Sequence, residues 1–150
     1  MLTGGLLAST GYALHPFAEQ TPQYSDIRQA GLAVAKRSYS IFQHRAYEAV
    51  LLVAALRGTY HLTELAGASL LMSIHPSYQD PFVTQDFPRE ARIDRPVPTD
   101  VIERLQQVRD FTRAYEPDGM TPADFVSFGT TQRTLSQFTE VGWKELESLR

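Results

Sequence analysis

The stretch AYEAVLLVAALRGTYHLTELAGASLLMSI, residues 46–74, decides how this chain is read. It is an apolar block interrupted by Arg57, Gly58, Thr59 and Tyr60, and it is closed by the first of five prolines between His75 and Thr99. Residues 49–56 are apolar without a polar face, so a helix there must be covered on more than one side. Gly58 then stands where a left-handed helix cap is expected, and Leu62 to Ile74 offers a second apolar helix ending before Pro76. The block therefore predicts a buried central helical hairpin, and with it an all-α fold.

Upstream, Ser25 and Asp26 form a helix start, with a polar cap and an acid in the first turn. From there Ile27, Gly31, Val34, Ser38, Ile41, Phe42, Ala49, Val53 and Leu56 recur at helical steps, giving one face that extends to Leu56, with room for a break around Ser38, Tyr39 and Ser40. Downstream, Pro76, Pro81, Pro88, Pro96 and Pro98 exclude a long helix and predict an irregular connection over 76–98, with room for a short strand at residues 81–84. Asp100 and Glu103 have capping-box spacing ahead of a stripe of Val101, Leu105, Val108, Thr112 and Tyr115. Thr121, Pro122 and Asp124 mark the clearest helix start in the chain. Phe125, Phe128, Leu135, Phe138, Gly142, Leu146 and Leu149 continue a helical face to the C-terminal region, with interruptions expected at Gly129 and Gly142. The expectation is about five helices, an N-terminal arm over residues 1–24 and one helical domain over 25–150.

With 150 residues, 43% hydrophobic and 21% charged, the composition is that of a globular protein with a real core. A net charge of -3 gives no global attraction to nucleic acid or to an anionic membrane. The absence of cysteine excludes disulfides, a thiol nucleophile and cysteine-ligated metal centres, and it allows an intracellular location. No segment reaches the ~20 apolar residues of a membrane span, because Glu48, Arg57, His61 and Glu64 interrupt the best block. Met1 to Phe17 lacks the basic region of a secretory leader. A soluble, cytoplasmic protein is expected.

Four kinds of chemistry can be set against these residues. His44 with Glu48, and His61 with Glu64, place acid and imidazole on shared helical faces, which would suit a helical-bundle metalloenzyme. Such bundles, however, use Glu followed three residues later by His, the reverse of the order here. No Gly-x-Ser-x-Gly elbow and no phosphate-binding glycine loop occurs, so neither a serine hydrolase nor a nucleotide-binding enzyme is predicted, and no cofactor is expected. Residues 49–66, AVLLVAALRGTYHLTELA, resemble the opening of a winged helix-turn-helix domain, in which an apolar helix ends at glycine and LTELA begins the next helix. The resemblance implies a divergent DNA-binding regulator drawing its basic surface from Arg37, Arg45 and Arg57. In that family a basic recognition helix follows, whereas residues 67–74, GASLLMSI, carry no cation.

The aromatic and arginine content points elsewhere. Tyr and Arg are enriched in interface cores, and the tract after Ile74 carries both beside apolar residues. The leading expectation is a non-enzymatic helical interaction protein, a subunit of a homo-oligomer or of a larger complex. Its expected interface comprises Tyr78, Phe82, Phe87, Arg89, Arg92 and Arg95, and its partner is a protein or a second copy of the chain.

Overall fold

The computed structural model describes residues 24–149. It is mostly helical, and among the described residues five helices have seven residues or more. Helix α1 (Tyr24–His44) is the longest. It is followed by strand β1 (Leu52–Val53), the short helix α2 (Tyr60–Glu64), strand β2 (Leu71–Met72) and helix α3 (Pro76–Thr84). Helices α4 (Thr99–Gln106) and α5 (Arg109–Tyr115) come next, then a 3₁₀ turn (Pro122–Ser127) and α6 (Gly129–Ser136). A π-helical stretch (Gln137–Trp143) leads directly into α7 (Lys144–Glu147), so the chain is helical from Gly129 to Glu147. The expected arm over 1–24 lies outside the described residues except for Tyr24, the first residue of α1.

The buried central helix is α1, not residues 49–56. Its residues separate into two faces at helical spacing. Leu32 and Ala35, with Tyr39 and Phe42 beyond them, pack on one cluster with Leu51, Val53, Leu56, Leu62, Leu65 and Ile93. Ile27, Ala30, Ala33 and Val34 pack on a second cluster with Leu105 and Phe111. A helix buried on two sides needs apolar residues around most of its circumference, and the alanines at 30, 33 and 35 keep it narrow enough for both neighbours.

The helical hairpin predicted over 46–74 is not formed. Apolar runs of this length satisfy strand and helix alike, and only local backbone and burial decide between them. Here Ala46 and Ala55 have positive φ, at 48° and 55°, so the chain turns at both ends of the run. Between them burial alternates, with Leu51 and Val53 inside and Val50 and Leu52 outside, as on a strand. β1 pairs in parallel with β2, Leu52 opposite Leu71 and Val53 opposite Met72, with the Leu71 and Ser73 amides donating to the Leu51 and Val53 carbonyls at 2.9 Å. Parallel strands require a crossover, and α2 with its flanking turns supplies it. Gly58 is not the left-handed cap; a Cβ there would come within 2.7 Å of the Tyr60 ring. The left-handed glycine is Gly67, at φ +89°, where a Cβ would also lie 2.6 Å from the Ala91 methyl. Both constraints exclude any other residue at that crossing.

The proline tract also differs from expectation, since residues 76–84 are helical. Pro76 occupies the first turn, where no amide hydrogen is needed, and His75 caps it by accepting from the Ser77 amide at 3.3 Å. The short strand predicted at 81–84 is therefore the second half of α3; beyond it the tract is irregular, as expected. The Thr121–Asp124 start holds, with the Thr121 amide donating to Asp124 at 2.8 Å, although the turn it opens is 3₁₀.

Ion pairs attach α4 and α5 to α1. Asp26, only 4% exposed, accepts from Arg104 Nε at 2.8 Å and from Nη2 at 2.9 Å, a bidentate fork. Arg37 reaches Glu116 at 3.2 Å and lies over the Tyr115 ring at 4.8 Å. Replacing Asp26 by Asn keeps its shape and removes its charge. We expect Asp26→Asn to lower the unfolding free energy by about 2 kcal/mol in urea titration, while Asp100→Asn on the exposed side of the same arginine changes it by no more than about 0.5 kcal/mol. Equal effects at both positions would refute the role assigned to the buried fork.

Candidate functional site

Two regions carry chemistry that the fold alone does not use up, and they differ in character. The first surrounds Lys36 on α1. Its side chain is 10% exposed, and its ammonium donates to the carbonyls of Arg92 at 2.9 Å and Arg95 at 2.6 Å and to Glu64 at 3.3 Å. Glu64 also accepts from Arg92 at 3.0 Å, and Glu90 binds both Arg92 at 2.6 Å and Arg95 at 2.7 Å. Burial lowers the pKa of the Lys36 amine, and the bond to Glu64 only partly offsets it. Desolvation pushes the Glu64 carboxyl up, but the bonds from Arg92 and Lys36 outweigh it and hold the group below its ordinary range.

An open cleft of about 380 Å³ lies beside this cluster, lined by Arg28, Gln29, Lys36, Tyr60, Glu64 and Pro96 to Pro98 among others. Its charged groups are engaged within the chain. The Arg28 guanidinium stacks 4.7 Å over the Tyr60 ring, and the Tyr60 hydroxyl donates to the Arg28 carbonyl at 3.1 Å. Internally paired charges of this kind hold segments together; they do not present a nucleophile or a free base to a substrate.

His61, beside Tyr60, is strongly perturbed. It is buried, its ring lies 4.2 Å from that of Tyr60, and its Nδ1 accepts from the Arg57 amide at 3.3 Å. Burial lowers its pKa from 6.5 to about 4, against a backbone hydrogen bond at Gly58, with Arg28 and Arg57 pushing in the same direction as burial. His61 is thus a neutral core residue at ordinary pH. His44 is exposed and bonds to Ser40 in its own helix, and Glu48 is exposed in the following loop. With Glu64 taken up by Lys36 and Arg92, the four residues of the metalloenzyme reading are not brought together. Among the described residues no group of three or more potential ligands is placed to hold a metal.

The second region is the C-terminal helical stretch. Every residue from Leu135 to Leu149 is exposed, on all sides of the helix. Six of them are large and apolar: Leu135, Phe138, Val141, Trp143, Leu146 and Leu149, with Phe138 72% and Leu149 79% exposed. Isolated helices of this length are marginal in water, and Thr139, Val141 and Gly142 lower the propensity further. The stretch is held by local bonds such as Lys144 to Glu140 at 2.8 Å and Trp143 Nε1 to Glu147 at 2.9 Å. Among the described residues nothing covers this apolar surface.

The expected interface residues are divided by the structure. Phe82 in α3 and Phe87 beyond its end stack at 4.9 Å, and Arg89 is solvent-exposed beside Asp86. Arg92 and Arg95 belong to the Lys36 network, and Tyr78 packs against the first core cluster. The sequence shows the apolar face at 135–149; that nothing among the described residues covers it becomes visible only in three dimensions. The winged-helix opening is not formed, because residues 49–56 are not a helix. Among the described residues no helix is long and apolar enough to cross a membrane. Comparison with protein families, with curated proteins and with solved structures finds no match to this chain.

The buried neutral His61 has a consequence for pH dependence. Its folded pKa lies below the unfolded value, so the stability it contributes is complete above pH 6.5 and is lost as pH falls from there through about 4. The drop corresponds to ~3 kcal/mol. Between pH 7 and pH 4 the wild-type chain should lose about that much more unfolding free energy than His61→Gln, which stays neutral throughout. Parallel pH curves for the two proteins would contradict this.

Proposed function

We propose that this chain is a non-enzymatic helical interaction protein that docks to its partner through the exposed C-terminal helical stretch. The observation that supports the reading is the uninterrupted exposure of residues 135–149 together with six large apolar side chains. Leaving such a surface in water is unfavourable by roughly 25 cal/mol for each Å² of apolar area, and docking removes that cost. The two core clusters around α1 close without it, so the stretch is available for binding. Phe82 and Val83 of α3, exposed and with Phe87 stacked on Phe82, provide a second apolar patch suited to the same role.

Nothing supports a chemical step of comparable weight. The charged cluster at Lys36 is internally satisfied, and the cleft beside it offers no nucleophile aligned with a base. A subunit or adaptor needs neither.

The reading requires that the exposed residues serve association and not the fold of the single chain. The double variant Phe138→Ser/Leu146→Ser should therefore change the unfolding free energy by no more than about 0.5 kcal/mol when urea titrations are run at sub-micromolar chain, where association contributes nothing. A loss of about 2 kcal/mol or more would assign these side chains to the chain's own core and remove the docking surface.

A further inference from the structure

We propose that the cleft beside Lys36 binds a small organic monocarboxylate with an apolar body, its charge held by the guanidinium of Arg28. The site shares no residue with the stretch 135–149 and does not depend on what docks there. A cation, a charge balance and a shape carry the inference.

Arg28 is exposed and lies over the Tyr60 ring at 4.7 Å. That contact uses the face of the guanidinium. It leaves the N–H edge, the part that takes a carboxylate through two parallel hydrogen bonds. Among the described residues no carboxylate pairs with that edge. The nearest candidates are committed elsewhere: Asp26 to Arg104, and Glu64 to Lys36 and Arg92.

The charged residues lining the cleft are Arg28, Lys36 and Glu64. Lys36 and Glu64 neutralise each other in their own pair, so one positive charge remains. A single guanidinium edge matches a single carboxylate, whereas a phosphate dianion would keep one charge unmatched. Ser25 and Gln29 line the cleft from the same face of α1, three residues before Arg28 and one after it, and add a hydroxyl and an amide beside the guanidinium.

The rest of the lining is Leu32, Tyr60, Pro96, Val97 and Pro98. The two prolines have no amide hydrogen, so this part of the wall suits an apolar body and not a polar one. A volume of about 380 Å³ lies in the range of small-molecule sites, which combine apolar walls with a few polar groups that fix orientation. The walls are also held in place before any ligand arrives. Lys36 ties Glu64 of α2 to the carbonyls of Arg92 and Arg95, directly before Pro96, and the Tyr60 hydroxyl donates to the Arg28 carbonyl at 3.1 Å. Walls fixed in advance reduce the ordering cost of binding.

The test is a titration of the full chain, labelled with ¹⁵N, with 2-naphthoate as the probe and amide chemical shifts as the readout. The neutral 2-naphthamide, with the same body and no charge, serves as the comparison. Naphthoate should give saturable shifts at Arg28, Gln29, Tyr60 and Val97, with half-saturation at about 2 mM or lower. Naphthamide should bind there about tenfold more weakly or worse. Arg28→Gln should weaken naphthoate by about tenfold and leave naphthamide unchanged; Arg28→Lys, which keeps the charge and loses the fork, should fall between. Ser25→Glu leaves Arg28 in place and sets an internal carboxylate three residues before it, so it should compete with naphthoate and weaken it by a similar factor. Its acid at the start of α1 favours the helix, which separates this loss from unfolding.

No saturable shift at these amides overturns the proposal. Equal binding of naphthoate and naphthamide also overturns it, as does naphthoate binding that is indifferent to Arg28→Gln and Ser25→Glu, because either result means simple apolar partition. Shifts confined to residues 135–149 place the probe on the exposed stretch and remove the cleft as its site.

Discussion

The amine of Lys36 is the point at which three segments of this chain are bonded together. It projects from the central helix α1, bonds to Glu64 at the end of the crossover helix α2, and donates to the carbonyls of Arg92 and Arg95. Those carbonyls belong to the irregular tract between α3 and α4, which has little other regular structure to hold it. A buried cation is costly unless its hydrogen bonds are complete, and here all three protons of the ammonium have an oxygen. The Arg92 and Ile93 amides then donate to Ala66 at 2.8 and 3.1 Å, so the clamp also fixes the tract against the turn that carries Gly67. Ile93 enters the first core cluster at that point.

With the tract fixed, both faces of α1 are closed. One is covered by β1, α2 and Ile93, the other by α4 and α5, which the Asp26–Arg104 fork and the Arg37–Glu116 pair attach. This body leaves out the C-terminal helical stretch. The residues from Leu135 onward stand apart from both clusters while carrying side chains as large as Phe138 and Trp143.

Much of the fold class was legible in the sequence, and the reasons for the failures are physical. On α1 the spacing picks out Ile27, Val34 and Phe42 but not the face through Leu32, Ala35 and Tyr39, and the helix ends at His44 without a break at 38–40, not at Leu56. The stripe through Val101, Leu105 and Val108 and the Thr121–Asp124 start do follow from the sequence. Residues 49–56 could not be assigned by spacing, because an unbroken apolar run fits a buried helix or a buried strand, and only the turns at Ala46 and Ala55 exclude the helix. The helix at 76–84 was hidden because Pro81 reads as a breaker, whereas a nine-residue helix with Pro76 in its first turn tolerates the loss of one bond. For the candidate site, the residues of the C-terminal stripe were visible and their exposure was not, since a stripe looks the same whether it faces the body or the solvent. Arg92 and Arg95 look like interface anchors in the sequence, but no sequence pattern reveals that a lysine 56 residues away is bonded to the first of their carbonyls.

The dependence of the body on the Lys36 clamp is tested most directly by hydrogen exchange on Lys36→Met, a substitution that retains the aliphatic stem and removes the ammonium. The account predicts that the Arg92 and Ile93 amides and the Leu71 and Ser73 amides bonded to β1 lose protection together, while the amides of α4 and α5 on the opposite face of α1 keep theirs. Unchanged protection at Arg92 and Ile93 would contradict it, and would mean that the tract is held by Ile93 packing alone.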